Sequence, residues 1–311
     1  MKITYPSEWN FFNNSLPAII GYDFDGIEFE LNNDCNVCDL WIVWGNLNHS
    51  EKISVSSGIT VFIAEEAYLE KIYPPRFLDQ FNYVFATRND ILHPQFKRSH
   101  YTGTWFIKKS YLDLCDNNFI EKSKDLSVIS SNLTLLDGHK KRYAFVNRMI
   151  GHFKDKLDVY GRGYNEIDDK AEGLSSYKYS IAIENSVIPD YFTEKIWDCY
   201  LSNVMPFYYG CPNLEQYFPS EAFIRIDIND YKKSIDIIEE AIETDVYFKA
   251  EPSLLIARNK VLYEYTLMPF LMKLILSLKT EKTSVRSIRL NGIGHFEQLK
   301  SNSLRSYLLF K

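Results

Sequence analysis

Two successive α/β domains, each Rossmann-like, followed by a helical C-terminal segment, are the fold this sequence predicts. Three observations carry that prediction. Short apolar runs of strand length alternate with stretches of helical spacing along most of the chain. The 311 residues are long for one hydrophobic core and natural for two. No internal repeat and no low-complexity linker breaks the pattern. The boundaries read as 1–125 for the first domain, 126–275 for the second and 276–311 for a basic tail.

In chain order, strands are expected at Met1–Tyr5, Pro17–Tyr22, Ile27–Leu31, Leu40–Trp44, Ile59–Ala64 and Tyr83–Thr87, with a helix near Tyr68–Phe81. Thr104 to Lys124 reads as a partly helical connection. The second domain then opens on a strand at Ser127–Ser131, a helix at His139–Phe153 and a strand at Leu157–Gly161. Tyr179, Ile181 and Ile183 alternate as a buried strand that ends at Glu184-Asn185-Ser186. Pro189 marks a loop. Ile196, Trp197, Tyr200 and Leu201 recur at spacings of three and four, which puts them on one helical face, with Thr193 as the N-cap and the end near Asn203. A strand at Val204–Tyr209 stops at Gly210. Another follows at Phe223–Asp227, and Lys232–Glu243 and Leu254–Leu278 are helical by their apolar spacing.

Composition narrows the function classes. A formal charge of −6 argues against a nucleic-acid binder, because such proteins neutralise phosphates with a Lys/Arg excess. The 22 Tyr and 21 Phe suit sugar-stacking surfaces, although large packed cores account for most of them. Five scattered cysteines fit a reducing compartment better than a disulfide framework. Cys35-Asn36-Val37-Cys38 has no second pair, so it reads as two small residues entering the strand at Leu40–Trp44. Asp23-Phe24-Asp25 has the form of a divalent-ion motif, but a turn before Gly26 explains it. The six histidines show no i, i+4 pair and none is assigned a role. No signal region or spanning segment opens the chain, and Leu267 to Leu278 is too short to cross a bilayer. A cytoplasmic protein is expected. The basic residues Lys279, Lys282, Arg286, Arg289, Lys300, Arg305 and Lys311 would either rest on the inner face of the membrane or fold back over the first domain.

The most informative stretch is Tyr177 to Pro219. It joins a strand, a polar loop, a helix start and a second strand. A helix start offers free N–H groups and partial positive charge, so Lys195 in its first turn concentrates cation where phosphate oxygens could sit. Glu184, Arg162 and Glu66 each follow a strand's carboxyl end, which is where open α/β sheets bind ligands.

Glu184-Asn185-Ser186, Tyr191-Phe192-Thr193-Glu194-Lys195 and Pro206-Phe207-Tyr208-Tyr209-Gly210 together resemble the donor-binding signature of glycosyltransferase family 10, the α1,3/α1,4-fucosyltransferases. Val159-Tyr160-Gly161-Arg162-Gly163, the stretch from Ser130-Ser131-Asn132 to Arg142, and Val61 to Glu66 followed by Phe81 to Asp90 extend the likeness from about residue 60 to about residue 230. The resemblance implies the glycosyltransferase B fold, two Rossmann-like domains facing a central cleft. It also implies inverting transfer of L-fucose from GDP-fucose to a hydroxyl of an oligosaccharide or glycolipid acceptor. An α1,3 linkage in bacterial surface polysaccharide or lipopolysaccharide synthesis is the expectation. A different nucleotide sugar, or an inactive glycan-binding homologue, are the rival readings.

Residue by residue, the resemblance puts Glu66, rather than its neighbour Glu65, as the base, with Glu194 at the donor sugar. Lys195 and Arg142 fall at the donor phosphates, Tyr191 at the nucleotide, and Glu184 and Asn185 in the donor site. Two cations beside the leaving diphosphate remove the need for a cofactor or an essential divalent metal, and no metal ligands are assigned. The first domain would hold the acceptor and the second the donor.

Overall fold

The computed structural model describes residues 1–4, 26–31, 35–65, 71–116, 119–278 and 285–296. The expected strand at Pro17–Tyr22, the Asp23/Asp25 pair and Glu66 lie outside those residues. In chain order the strands are β1 (Lys2–Thr4), β2 (Glu30–Leu31), β3 (Val37–Cys38), β4 (Trp41–Trp44), β5 (Glu51–Val55), β6 (Thr60–Ile63), β7 (Tyr83–Ala86), β8 (Phe96–Arg98), β9 (Lys124–Ile129), β10 (Leu157–Tyr160), β11 (Tyr177–Ile183), β12 (Met205–Tyr209), β13 (Ile224–Arg225) and β14 (Arg286–Leu290). The helices are α1 (Pro75–Leu78), α2 (Tyr111–Cys115), α3 (Asp137–Phe153), α4 (Glu194–Leu201), α5 (Tyr231–Glu243), α6 (Val246–Lys260) and α7 (Leu267–Ser277).

The described residues fall into two compact units. The first holds residues up to 100 together with those from 272 onward; the second holds 101–271. The first boundary therefore falls at 100/101, earlier than the 125/126 read from sequence. The segment after residue 100 is tied into the second unit. The Tyr101 N–H donates to the Asp190 carbonyl at 3.1 Å, the Phe106 N–H to the Asp198 carboxylate at 2.8 Å and the Lys108 N–H to Asp169 at 2.9 Å.

The first unit carries a six-stranded parallel sheet in the order β2-β1-β4-β6-β7-β8. Both faces of β4 and β6 are buried, which is why they read as continuous apolar runs. Phe62 is central to the core, with its ring 5.0 Å from Tyr73, 5.2 Å from Phe77 and 5.1 Å from Phe81. Of the helix expected over Tyr68–Phe81, the described residues, 71–81, hold the short α1. Pro74 and Pro75 occupy its N-cap and first position, which fixes its start there.

A second, three-stranded sheet, β14-β5-β3, was not expected. β14 lies antiparallel to β5, with Ile288 opposite Ile53, and Leu290 and Ile293 enter the same core. Arg286 and Arg289 of the basic segment are therefore strand residues of the first unit. Cys38 sits in β3 and is buried; all five cysteines are free thiols.

The second unit is a five-stranded parallel sheet in the order β10-β9-β11-β12-β13. Counted along the chain this is 2-1-3-4-5, a doubly wound order. Ser127 and Ser180 face each other across β9 and β11, and their buried hydroxyls satisfy one another at 3.1 Å. Part of the aromatic excess is spent here, where Phe192 packs on Tyr217, Phe218, Tyr265 and Trp197. The long helix expected over Leu254–Leu278 instead begins at Val246, widens into a π-turn at Val261–Tyr265 and breaks at Thr266, whose backbone is extended. Among the described residues, no helix is long and apolar enough to cross a membrane.

Candidate functional site: a cation-lined cavity at the sheet's switch point

In the second unit the strand order reverses between β9 and β11, so the loops leaving their carboxyl ends part and open a crevice. A cavity of 340 Å³ lies there. Ser130 and Ser131 after β9, Gly161 and Arg162 after β10, and Asn185 after β11 form its rim. His139 and Arg142 reach it from α3, Glu194 and Lys195 from the first turn of α4, and Lys170 from a helical turn at Lys170–Gly173. Four residues assigned from sequence, Arg142, Asn185, Glu194 and Lys195, thus meet in one place.

Arg142 is 7% exposed. Its guanidinium donates to the Asn185 side-chain oxygen and, at 3.1 Å, to the Ser131 hydroxyl. One planar fork thereby bridges the loops after β9 and β11, as a point-charge ammonium could not. Gly138 lets the start of α3 come this close. A Cβ there would stand 1.9 Å from the Asn185 carbonyl oxygen.

Glu184 behaves differently from its assignment. It is 1% exposed and does not line the cavity. Its carboxylate accepts the Thr193 N–H at 2.8 Å and the Thr193 hydroxyl at 2.8 Å, and pairs with the Lys195 ammonium at 3.2 Å. Thr193 does occupy the N-cap with extended backbone, but its side chain makes no capping bond, because its hydroxyl is engaged by Glu184 and by Lys195 at 2.9 Å. Gly210 makes room for this clamp, since a Cβ would stand 2.4 Å from Glu184 Cγ and 2.6 Å from the Tyr208 hydroxyl.

Tyr191 also departs from its assignment. It is 4% exposed, its ring lies edge-on to Tyr101 at 5.6 Å, and the cavity lining does not include it. Its loop is fixed by Asp190, which adopts φ 69 and accepts from Asn213 and the Tyr217 hydroxyl, each at 2.7 Å.

Lys195 is a paired cation rather than a free one, held 3.2 Å from Glu184 and 3.3 Å from Glu194. Burial alone would lower its pKa, but the two carboxylates outweigh burial and raise it. Glu194 lies 3.6 Å from a second cation, Lys170, which pairs with Asp198 at 2.9 Å. Burial pushes the Glu194 carboxyl upward, yet Lys195 and Lys170 prevail and hold it at about 2. Glu194 is thus an ionised acceptor for hydroxyl groups, set among cations.

Sequence reading missed Lys170, His139 and Gly138. The signal for Lys170 was legible: Glu194 and Asp198 are like charges at i, i+4 on one helix, an arrangement that needs a cation. In the first unit, Glu65 is 1% exposed, so the pair Glu65-Glu66 is not a wholly solvated surface. Among the described residues no group of three or more His, Cys, Asp or Glu side chains could hold a metal ion.

A doubly wound parallel sheet with a cation-lined crevice at its switch point is the place where open α/β sheets bind their ligands. Residues 119–244 match the family model described as Glycosyltransferase family 10 (fucosyltransferase) C-term. A 4-galactosyl-N-acetylglucosaminide 3-alpha-L-fucosyltransferase of Pongo pygmaeus is 39% identical over 95 residues, 29% of this chain and 26% of that protein. An alpha-(1,3)-fucosyltransferase of Helicobacter pylori is 37% identical over 78 residues, 25% of this chain and 16% of that protein. The chain thus matches about a quarter of the first relative's length and less of the second's.

A solved alpha1,3-fucosyltransferase with GDP-fucose aligns over 91% of this chain and 92% of its own, with a TM-score of 0.52 and 19% identity. One solved with GDP aligns over 86% and 93%, with a TM-score of 0.51 and 20% identity. The fold class is α/β of the glycosyltransferase B type.

Proposed function

We propose that the chain is an inverting fucosyltransferase that moves L-fucose from GDP-fucose to a hydroxyl of an oligosaccharide or glycolipid. The observation that carries this reading is the meeting of Arg142, Asn185, Glu194 and Lys195 in one cavity at the switch point. Their charges suit a nucleotide diphosphate bearing a hydroxylated sugar. Arg142 and Lys195 neutralise the departing diphosphate, and Glu194 accepts hydrogen bonds from the sugar.

In the transfer step, the acceptor oxygen forms a bond to the anomeric carbon from the face opposite the diphosphate. The carbon–oxygen bond to phosphate breaks, GDP leaves with the electron pair, and the acceptor's proton passes to the Glu66 carboxylate. An α1,3 linkage, a role in bacterial surface polysaccharide or lipopolysaccharide synthesis, and work in the cytoplasm near a membrane-held acceptor complete the proposal. The basic residues from Lys279 onward support membrane contact of anionic character. The relatives named above support the sugar.

The test is calorimetric titration with a panel of nucleotide sugars, followed by donor hydrolysis. GDP-fucose should bind and be turned over in preference to other donors. Arg142→Ala or Lys195→Ala should weaken binding by roughly 1.5–3 kcal/mol, as expected for hydrogen bonds to charged groups. Preference for another nucleotide overturns the donor assignment, and binding without any turnover overturns the enzymatic one.

A further inference from the structure

His139 is the third residue of α3, one turn before Arg142, and it lines the same cavity. Its Nδ1 is buried and has no hydrogen-bond partner among the described residues. We propose that His139 takes up a proton when a nucleotide sugar binds, its imidazolium joining Arg142 and Lys195 around the diphosphate. The proposal rests on the donor reading above.

Charge balance gives the reason. Arg142, Arg162, Lys170 and Lys195 line the cavity, while Glu194 on its wall and Glu184 and Asp198 beneath it pair with the two lysines. Four cations against three carboxylates leave one positive charge. A diphosphate diester brings two negative charges and reverses the sign. One proton on His139 restores neutrality at the one lining side chain that can change its charge near neutral pH.

The groups that face His139 act in the same direction. Burial, then Arg142 from its own helix and Lys195 from α4, hold the imidazole below its ordinary range. Asp137 and Lys140, also on α3, are exposed and spend their charges on each other at 3.3 Å. The start of α3 adds partial positive charge that disfavours imidazolium until an anion arrives. A diphosphate in the cavity then sets negative charge beside the ring, which favours imidazolium. By linkage, whatever raises the imidazole's proton affinity must itself bind tighter to the protonated form.

GDP-fucose is the probe, because its diester phosphates stay ionised across the pH window and contribute no protons of their own. Titrations near pH 7 in buffers of differing ionisation enthalpy should show net proton uptake by the wild-type protein, growing as pH falls towards about 6. His139→Gln should still bind but without uptake, and its affinity should fall several-fold near pH 6 while changing little near pH 8. His139→Asn serves if the glutamine variant fails to fold, and the imidazole proton resonances of the wild type provide a direct readout of protonation. Binding without uptake, or uptake that survives in both variants, overturns the proposal and leaves the donor reading standing. Absence of GDP-fucose binding in every buffer overturns both.

Discussion

Glu184→Gln keeps the shape of a buried side chain and removes its charge. In the wild type that carboxylate is 3.2 Å from the Lys195 ammonium and accepts both the N–H and the hydroxyl of Thr193 at 2.8 Å. Breaking a buried pair by removing one partner costs about 3–5 kcal/mol, because a charge is left in a poor medium. Lys195 keeps Glu194 at 3.3 Å, and the glutamine oxygen still accepts one bond from Thr193, so the lower end, about 3 kcal/mol, is expected. Urea unfolding measures it directly. The double variant Glu184→Gln/Lys195→Met closes a cycle. With both charges gone it should be more stable than Glu184→Gln alone, giving a coupling energy of roughly 1.5–3 kcal/mol. A loss below about 1 kcal/mol with no coupling would sink the view that Glu184 is a structural clamp, since that is the range of exposed pairs.

Gly210→Ala should reach the same result by displacing Glu184, with destabilisation of about 1–3 kcal/mol from overpacking; unaltered stability would show that the clamp yields at no cost. Glu194 has its folded pKa held at about 2 against a reference of 4.5, so its stabilising contribution is present above pH 4.5 and is lost as pH falls towards 2. That amounts to about 3 kcal/mol at most, and Glu194→Gln should flatten this part of the stability profile. Glu66→Gln should lower turnover by about 10²–10⁴-fold with donor affinity nearly unchanged, while Glu65→Gln stays active; the reverse pattern would shift the base by one residue. Turnover should persist in chelator, and loss restored by manganese would revive Asp23 and Asp25.

The second unit was legible because its parallel strands are buried on both faces and so announce themselves as apolar runs. β11, α4 and β12 lie within a residue or two of where spacing put them. The small sheet of β3, β5 and β14 was harder to read. β5 buries only Ile53 and Val55, and its partner β14 is remote in the chain. At the site, motif position marked Arg142, Asn185, Glu194 and Lys195 correctly as neighbours. It could not tell a residue in the cavity wall from one behind it. Glu184 and Tyr191 are a strand-end carboxylate and a loop aromatic in sequence, yet one is a buried clamp and the other is packed on Tyr101.

The pairing of β14 with β5 bears on how the chain matures during synthesis. The first unit draws on both ends of the sequence, whereas the described part of the second unit lies within a nearly continuous stretch. Gln80 bonds Asn291 through both its amide groups across 211 residues, and Ile293 closes on Leu47. The N-terminal strands must therefore leave the ribosome unfinished and wait, with β5 an open edge, until β14 emerges. Over that interval the second unit can already be folded, so the order of completion runs opposite to the order of translation.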